Sequence, residues 1–348
     1  MAVLMLACSA RMGIAAPGCR EALAQHAVCE PANKLAAGAM RSSRLEAVSV
    51  MQDVGSGALV VFAASQPSAL DVSTQVLPLS LSKVFLAASW WDHKQPDLLE
   101  NASSGKPVDV HEMLVGGSDS SARQLALALR KSVGTPTVLA DLQRYGFNRG
   151  DGSSWSDVDR QWRKRLTPQS GYARIGALDD ENWSSALSIG ESYMMTTALQ
   201  VSSFFQAVGN GGVLCAPNAR RMTRGVKPAK SIDCEAPTRV VEETTAKKLM
   251  AAALDTVQRG SARRIAGALH DVGWAIGGKT GTGGRAGAPM DAQDGWFAGL
   301  VFDRQGKARY TVATFVRRGG LGAGHAAEIS VLLARFLAGQ NTPKHGSQ

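Results

Sequence analysis

No histidine in this 348-residue sequence has a second His nearby, and none belongs to a set of four Cys and His at metal-ligand spacing. His26, His93, His111, His270, His325 and His345 stand apart, which argues against a zinc site. No glycine-rich loop links a strand-like run to a helix, so a nucleotide-phosphate cradle is not expected, although Gly277-Gly278-Lys279-Thr280 ends like one. No metal and no cofactor is therefore expected. No apolar run reaches the length of a membrane span, and there is no internal repeat. Acidic residues are in deficit: 29 Asp and Glu against 38 Lys and Arg leave a formal charge of +9. The basic residues are nevertheless scattered. Arg160-Gln161-Trp162-Arg163-Lys164-Arg165 is the one dense patch and reads as a solvated face, so nucleic acid is not an expected partner. The excess charge suits a protein working beside anionic polymer or lipid.

Cysteine is scarce but grouped. Cys19 lies near Cys29 and Cys215 near Cys234, with Cys8 left over. Two local pairs fit an oxidising compartment; five reduced thiols are the alternative. Residues 1–16 are small and apolar, yet they lack the basic start of an export signal, and their apolar run over 2–8 is short. Cleavage near Ala15 and lipid attachment at Cys8 are both open readings of this end. Hydrophobic residues make up 45% of the chain, enough for a sizeable core.

Residues 1–43 read as a leader or poorly defined segment with one amphipathic stretch, and 44–340 as a single domain. Residues 57–64 are apolar and partly β-branched, the pattern of a buried strand. Residues 81–91 have helical spacing, with Leu81, Phe85, Leu86 and Ser89 on one side. Gly116-Gly117 ends a short helix over 108–115, and Ser120 or Ser121 caps another over 122–133. Further helices are expected over 136–145, 194–208 and 240–259, the second stopped by Gly209-Asn210-Gly211-Gly212. Segment 146–182 is polar and irregular. Strand character then appears over 272–282, 296–302 and 308–316, and a helix over 326–338 closes the chain. The expected fold is α+β. One early strand joins three late strands in an antiparallel sheet flanked by helices (about 44–90 and 260–340), and an all-helical lobe (about 91–259) is inserted between them. A cleft is expected between sheet and lobe.

Three separated stretches carry the chemistry. In Ser80-Leu81-Ser82-Lys83, residues 80 and 83 share one face of a helix, so a hydroxyl and an amine meet at its start. The free N–H groups there favour developing negative charge. A neutral Lys83 can take the Ser80 proton, and burial beside a second cation supplies the lowered pKa. Ser82 adjoins Lys83 and points elsewhere. Ser118-Asp119-Ser120 follows two glycines and offers hydroxyls for proton relay. In Lys279-Thr280-Gly281-Thr282 the two threonines share one strand face and Lys279 the other. Their hydroxyls suit a carboxylate, the N–H of Thr282 can join that of Ser80 as an oxyanion hole, and Lys279 can reach toward Ser118.

The ordered set resembles the transpeptidase domain of penicillin-binding proteins, within the active-site-serine group that includes serine β-lactamases. Ile189-Gly190-Glu191, Thr197-Ala198-Leu199-Gln200, Gly209-Asn210-Gly211-Gly212, Gly260-Ser261-Ala262 and Asp294-Gly295-Trp296-Phe297-Ala298-Gly299 are similar to other stretches of that family. The resemblance spans roughly 48–337. It implies acyl transfer on D-alanyl-D-alanine stem peptides of peptidoglycan, either DD-transpeptidation or DD-carboxypeptidation, outside the cytoplasm in the periplasm or cell envelope. By the same resemblance Ser80 is the acylated nucleophile, Lys83 its base, Ser118 the proton relay and Lys279 the electrostatic group. Substrate falls to Ser120, Thr280, Gly281 and Thr282. β-Lactams as covalent inhibitors and cell-wall synthesis proteins are the implied partners, with an N-terminal membrane anchor a further implication. Two features depart from the family: Ser120 stands where Asn is usual, and Leu79 where Gly is usual before the nucleophile. A serine β-lactamase, with Glu181 or Glu191 as candidate base for deacylation, and a degenerate domain that only binds wall peptides or partners are the alternatives.

Overall fold

The computed structural model describes residues 29–65, 70, 74–100, 107–147, 174–175, 183–190, 194–217, 234, 236–284 and 287–341. Cys8, Cys19, the 160–165 basic patch, Glu181 and Glu191 lie outside the described residues. Five strands, β1 (Glu46–Gln52), β2 (Leu59–Ala64), β3 (Ala275–Gly283), β4 (Asp294–Phe302) and β5 (Ala308–Arg317), form one antiparallel sheet in the order β2-β1-β5-β4-β3. The principal helices are α1 (Glu30–Ser42), α2 (Ser82–Asp92), α3 (Val110–Gly116), α4 (Asp119–Val133), α5 (Thr135–Arg144), α6 (Trp183–Ile189), α7 (Ala198–Gly209), α8 (Glu243–Gln258) and α9 (His325–Asn341).

The early part of the chain supplies two strands, not the one expected. β1 is buried at six consecutive positions and so shows no polar–apolar alternation. It turns back into β2 at Gly57, whose φ of +74° suits a residue without a Cβ and whose N–H donates to Asp53 O at 2.9 Å. β1 then pairs with β5, Val48 opposite Phe315, which joins the two ends of the chain.

Along β4 the side chains alternate between two cores. Trp296, Ala298 and Leu300 enter the core shared with the lobe, while Phe297 and Val301 enter the one shared with α1 and α9. Residues 30–42, expected inside a leader, instead form α1, packed on β2. Ala32, Ala36 and Met40 stand four residues apart and make a fully buried stripe. The N-terminus of α1 also covers the β2 edge: the Asn33 side-chain oxygen accepts the Phe62 N–H at 2.8 Å, and Cys29 N–H donates to Val60 O at 2.9 Å.

On the other face, α2 runs through the lobe with every residue from Ser82 to Trp91 buried. Phe85 meets Phe204 at 4.8 Å and Phe147 at 5.1 Å between ring centroids, both edge-on. Such pairs contribute about 0.5–1.5 kcal/mol each beyond area. The far end of α2 is tied down by polar contacts: Ser89 Oγ donates to Asp141 at 2.5 Å, and the Asp92 carboxylate takes the Tyr145 hydroxyl at 3.3 Å. Burial raises the Asp92 pKa. The C-terminal end of the helix carrying residues 82–92 is thus held. Cys215 and Cys234 form a disulfide, and Cys29 is disulfide-bonded as well. Among the described residues no helix is long and apolar enough to cross a membrane.

Candidate active site

Ser80 lies in a 3-10 turn, Leu79–Leu81, that leads directly into α2. Four contacts set this turn. Val76 bridges to Thr196, its N–H donating to Thr196 O at 2.9 Å. Trp296 Nε1 of β4 donates to Leu77 O at 2.9 Å. Leu79 N–H donates to Gly190 O at 3.3 Å. A Cβ on Gly281 of β3 would meet Leu79 Cβ at 3.3 Å and Pro78 O at 3.4 Å. Leu79 itself sits at φ +54°, the left-handed region, with its side chain buried. A β-carbon there costs on the order of 1–3 kcal/mol and persists only where neighbours over-determine it. Here the strained residue immediately precedes the candidate nucleophile.

Lys83, one turn on, is 0% exposed. Its Nζ donates to Ser80 Oγ at 3.0 Å, to Gly117 O at 2.7 Å, and to the Asp119 carboxylate. Ser82 Oγ is buried and makes no hydrogen bond among the described residues, consistent with a side chain turned away from this group. Burial lowers the Lys83 pKa and Asp119 opposes that shift.

Ser118 caps α4, accepting the Ser121 N–H at 3.2 Å, so the helix begins at Asp119 rather than after Ser120 or Ser121. Its hydroxyl donates to Ser121 Oγ at 2.9 Å and lies 3.2 Å from Ser120 Oγ. Ser120 is therefore placed beside Ser118, and the group that reaches Lys83 is its neighbour Asp119. A carboxylate inside a turn motif looks like an ordinary first-turn acid; only its proximity to a buried ammonium, thirty-six residues earlier in sequence, gives it another part.

Strand β3 forms the sheet edge beside this loop. Lys279 pairs across with Ala298, whose side chain faces the lobe, and is buried. Its Nζ donates to Thr280 O at 2.9 Å, and a Cβ on Gly117 would lie 3.5 Å from that nitrogen. Two ammonium groups thus converge under the Gly117 loop. Burial and then the Lys83 charge lower the Lys279 pKa to about 7, with Asp119 opposing. The threonines differ from the shared-face expectation in what they hold. Thr280 Oγ is 2.7 Å from Ser261 Oγ, and Thr282 Oγ accepts the Gly322 N–H at 3.0 Å, which leaves its own O–H to donate. Ser261, whose N–H donates to Val115 O at 3.0 Å, links the lobe to β3. Ser261 lies in the Gly260-Ser261-Ala262 stretch noted in the sequence, whereas Gly322 carries no local signal for this task. The run from Gly273 to Thr280 has the spacing of a phosphate-binding loop, but from Ala275 onward it is strand and its lysine is buried.

The Lys279 environment predicts a pH effect. Above about pH 7 the folded chain has released a proton that the unfolded chain keeps up to 10.5. The unfolded state then binds more protons, so this residue makes stability rise with pH through that window. Lys279→Met should melt above the parent near neutrality, and the gap should shrink toward pH 10 in thermal scans. A gap that stays constant would show that no such cost is present.

A family model described as the penicillin binding protein transpeptidase domain matches residues 47–332. A search of curated proteins finds no match. Solved structures share the fold at low identity. The transpeptidase domain of Burkholderia pseudomallei penicillin-binding protein 3 has 15% identity and a TM-score of 0.67, over 92% of this chain and 97% of that one. The penicillin G acyl-enzyme complex of Mycobacterium tuberculosis penicillin-binding protein A has 16% identity and a TM-score of 0.65, over 88% and 79%. The D,D-transpeptidase domain of an Eggerthella lenta peptidoglycan glycosyltransferase has 18% identity and a TM-score of 0.60, over 90% and 81%.

Proposed function

Since the chain belongs to the penicillin-binding protein transpeptidase family, we propose that it is a serine DD-peptidase acting on stem peptides that end in D-Ala-D-Ala, through an acyl-enzyme on Ser80. The observation that carries this reading is the 3.0 Å contact between Lys83 Nζ and Ser80 Oγ, made by a buried lysine with a second buried lysine under the same loop.

In this reading Ser80 Oγ attacks the penultimate carbonyl while its proton passes to neutral Lys83. The N–H groups of Ser80 and Thr282 stabilise the oxyanion. The C–N bond breaks, and D-Ala leaves as an amine that takes its proton by way of Ser118. An acceptor amine or water then releases the acyl group. Thr282, with its O–H still to donate, receives the terminal carboxylate with Thr280, and Lys279 in its protonated form supplies positive charge beneath. Gly281 lets β3 press against the turn that carries Ser80. Ser120, beside Ser118, takes part in binding the substrate. The Cys215–Cys234 disulfide supports an extracytoplasmic setting.

Intact-mass analysis after exposure to penicillin G tests the proposal. The expected result is one stable adduct on the parent and on Ser82→Ala, none on Ser80→Ala, and D-Ala release from a D-Ala-D-Ala peptide by the parent and Ser82→Ala but not by Ser80→Ala. An adduct that survives Ser80→Ala would sink the assignment, and rapid hydrolysis of the lactam would replace it with a β-lactamase.

A further inference from the structure

The side chain at the head of α4 that meets Lys83 is not that of Ser120. A serine hydroxyl at that place bonds with Ser118 and does not reach Lys83, whereas Asp119 does. The Asp119 side chain is 63% exposed while that of Lys83 is 0% exposed, so the carboxylate is a bridge between a buried ammonium and water. The charged groups set against Lys83 are Asp119 from α4 and Lys279 from β3; Gly117 adds a carbonyl. Asp119 and the Gly117 carbonyl thus constrain two of the three ammonium hydrogens, and the third is left to Ser80.

We infer that Asp119 is a positioning residue for acylation: it holds Lys83 Nζ against Ser80 Oγ. The inference rests on the Ser80–Lys83 roles proposed above. Before attack, the extra Lys83 proton leaves by way of the exposed carboxylate: the Nζ–H bond breaks, a carboxyl O–H bond forms, and water takes that proton. The freed Nζ lone pair then accepts the Ser80 proton as the Oγ–acyl bond forms. An opposite charge at this range favours the protonated amine. Asp119 therefore positions the base at the expense of availability at low pH.

The experiment follows acylation of the parent, Asp119→Ala and Asp119→Asn by a fluorescent penicillin from pH 5 to 9, with thermal melts as fold controls. Asp119→Ala should lose at least about tenfold in acylation rate at pH 7, since a small misplacement of a catalytic group has effects of this size. Asp119→Asn keeps an acceptor without the charge. It should keep a plateau rate within about threefold of the parent, with the acid limb moved down by about one pH unit. A parent-like rate and parent-like acid limb in Asp119→Ala overturn the inference while leaving the Ser80 reading intact. Equal losses in both variants with an unmoved limb also overturn it, because a purely structural role has that signature. Labelling of the parent that is absent, or that persists in Ser80→Ala, overturns the reading beneath it and this inference together.

Discussion

Lys83→Met is expected to slow acylation by roughly two to four orders of magnitude, the usual contribution of a positioned proton acceptor. The same change should leave the melting temperature equal or higher. Lys83 is 0% exposed, and burying an ammonium is costly even when it is hydrogen-bonded. Methionine has a similar length and fills the space without that cost. The partner left behind, Asp119, is mostly solvent-exposed, so it does not become a stranded buried charge. Loss of activity together with retained stability is therefore the signature of a group kept for chemistry and not for packing. Time-resolved intact-mass labelling with excess penicillin gives the first quantity, and a calorimetric scan gives the second. An acylation rate within about threefold of the parent would remove Lys83 from the reaction.

The second large effect belongs to Gly190, which never touches the reacting atoms. Its φ is +67°, and a Cβ built there would lie 2.2 Å from Leu79 O and 2.7 Å from Leu79 N. Backbone cannot give way as a flexible side chain can. Gly190→Ala should push the 78–80 segment away from its seat and carry Ser80 out of line with Lys83. Left-handed backbone costs alanine on the order of 1–2 kcal/mol before any overlap is counted. A displacement near one ångström lowers rates about a hundredfold. Gly38→Ala is the matched comparison: nothing lies within 4 Å of a Cβ there, and the site is interior to α1. It should gain about 0.5–1 kcal/mol of stability and acylate normally. Acylation kinetics and melts on the two variants separate a local displacement from a general loss of fold. Gly190→Ala acylating as fast as the parent would show that the 79–190 contact does not set the nucleophile.

Some of this was legible from local pattern. The strands at 294–302 and 308–317 and the helix at 325–341 emerge close to where apolar periodicity puts them, because each has its own face to bury. The β1 strand was not legible, since a strand buried on both faces has no alternation to read. α1 looked like leader sequence because its small residues, Ala32 and Ala36, become core only once β2 lies against them.

The candidate site divides along the same line. Order and spacing along the chain determined that a serine and a lysine share a helical face, that glycines precede Ser118, and that a Lys-Thr-Gly-Thr run ends in strand; these depend on dihedral preferences within a few residues. Tertiary structure alone decided that Asp119 takes the Lys83 contact while Ser120 does not, that Ser261 and Gly322 engage the two threonine hydroxyls, and that Leu79 is held at positive φ beside Gly190. Such partners come from α4, β3 and the turns around them, far apart along the chain, and their hydrogen bonds and desolvation exist only after both cores have closed.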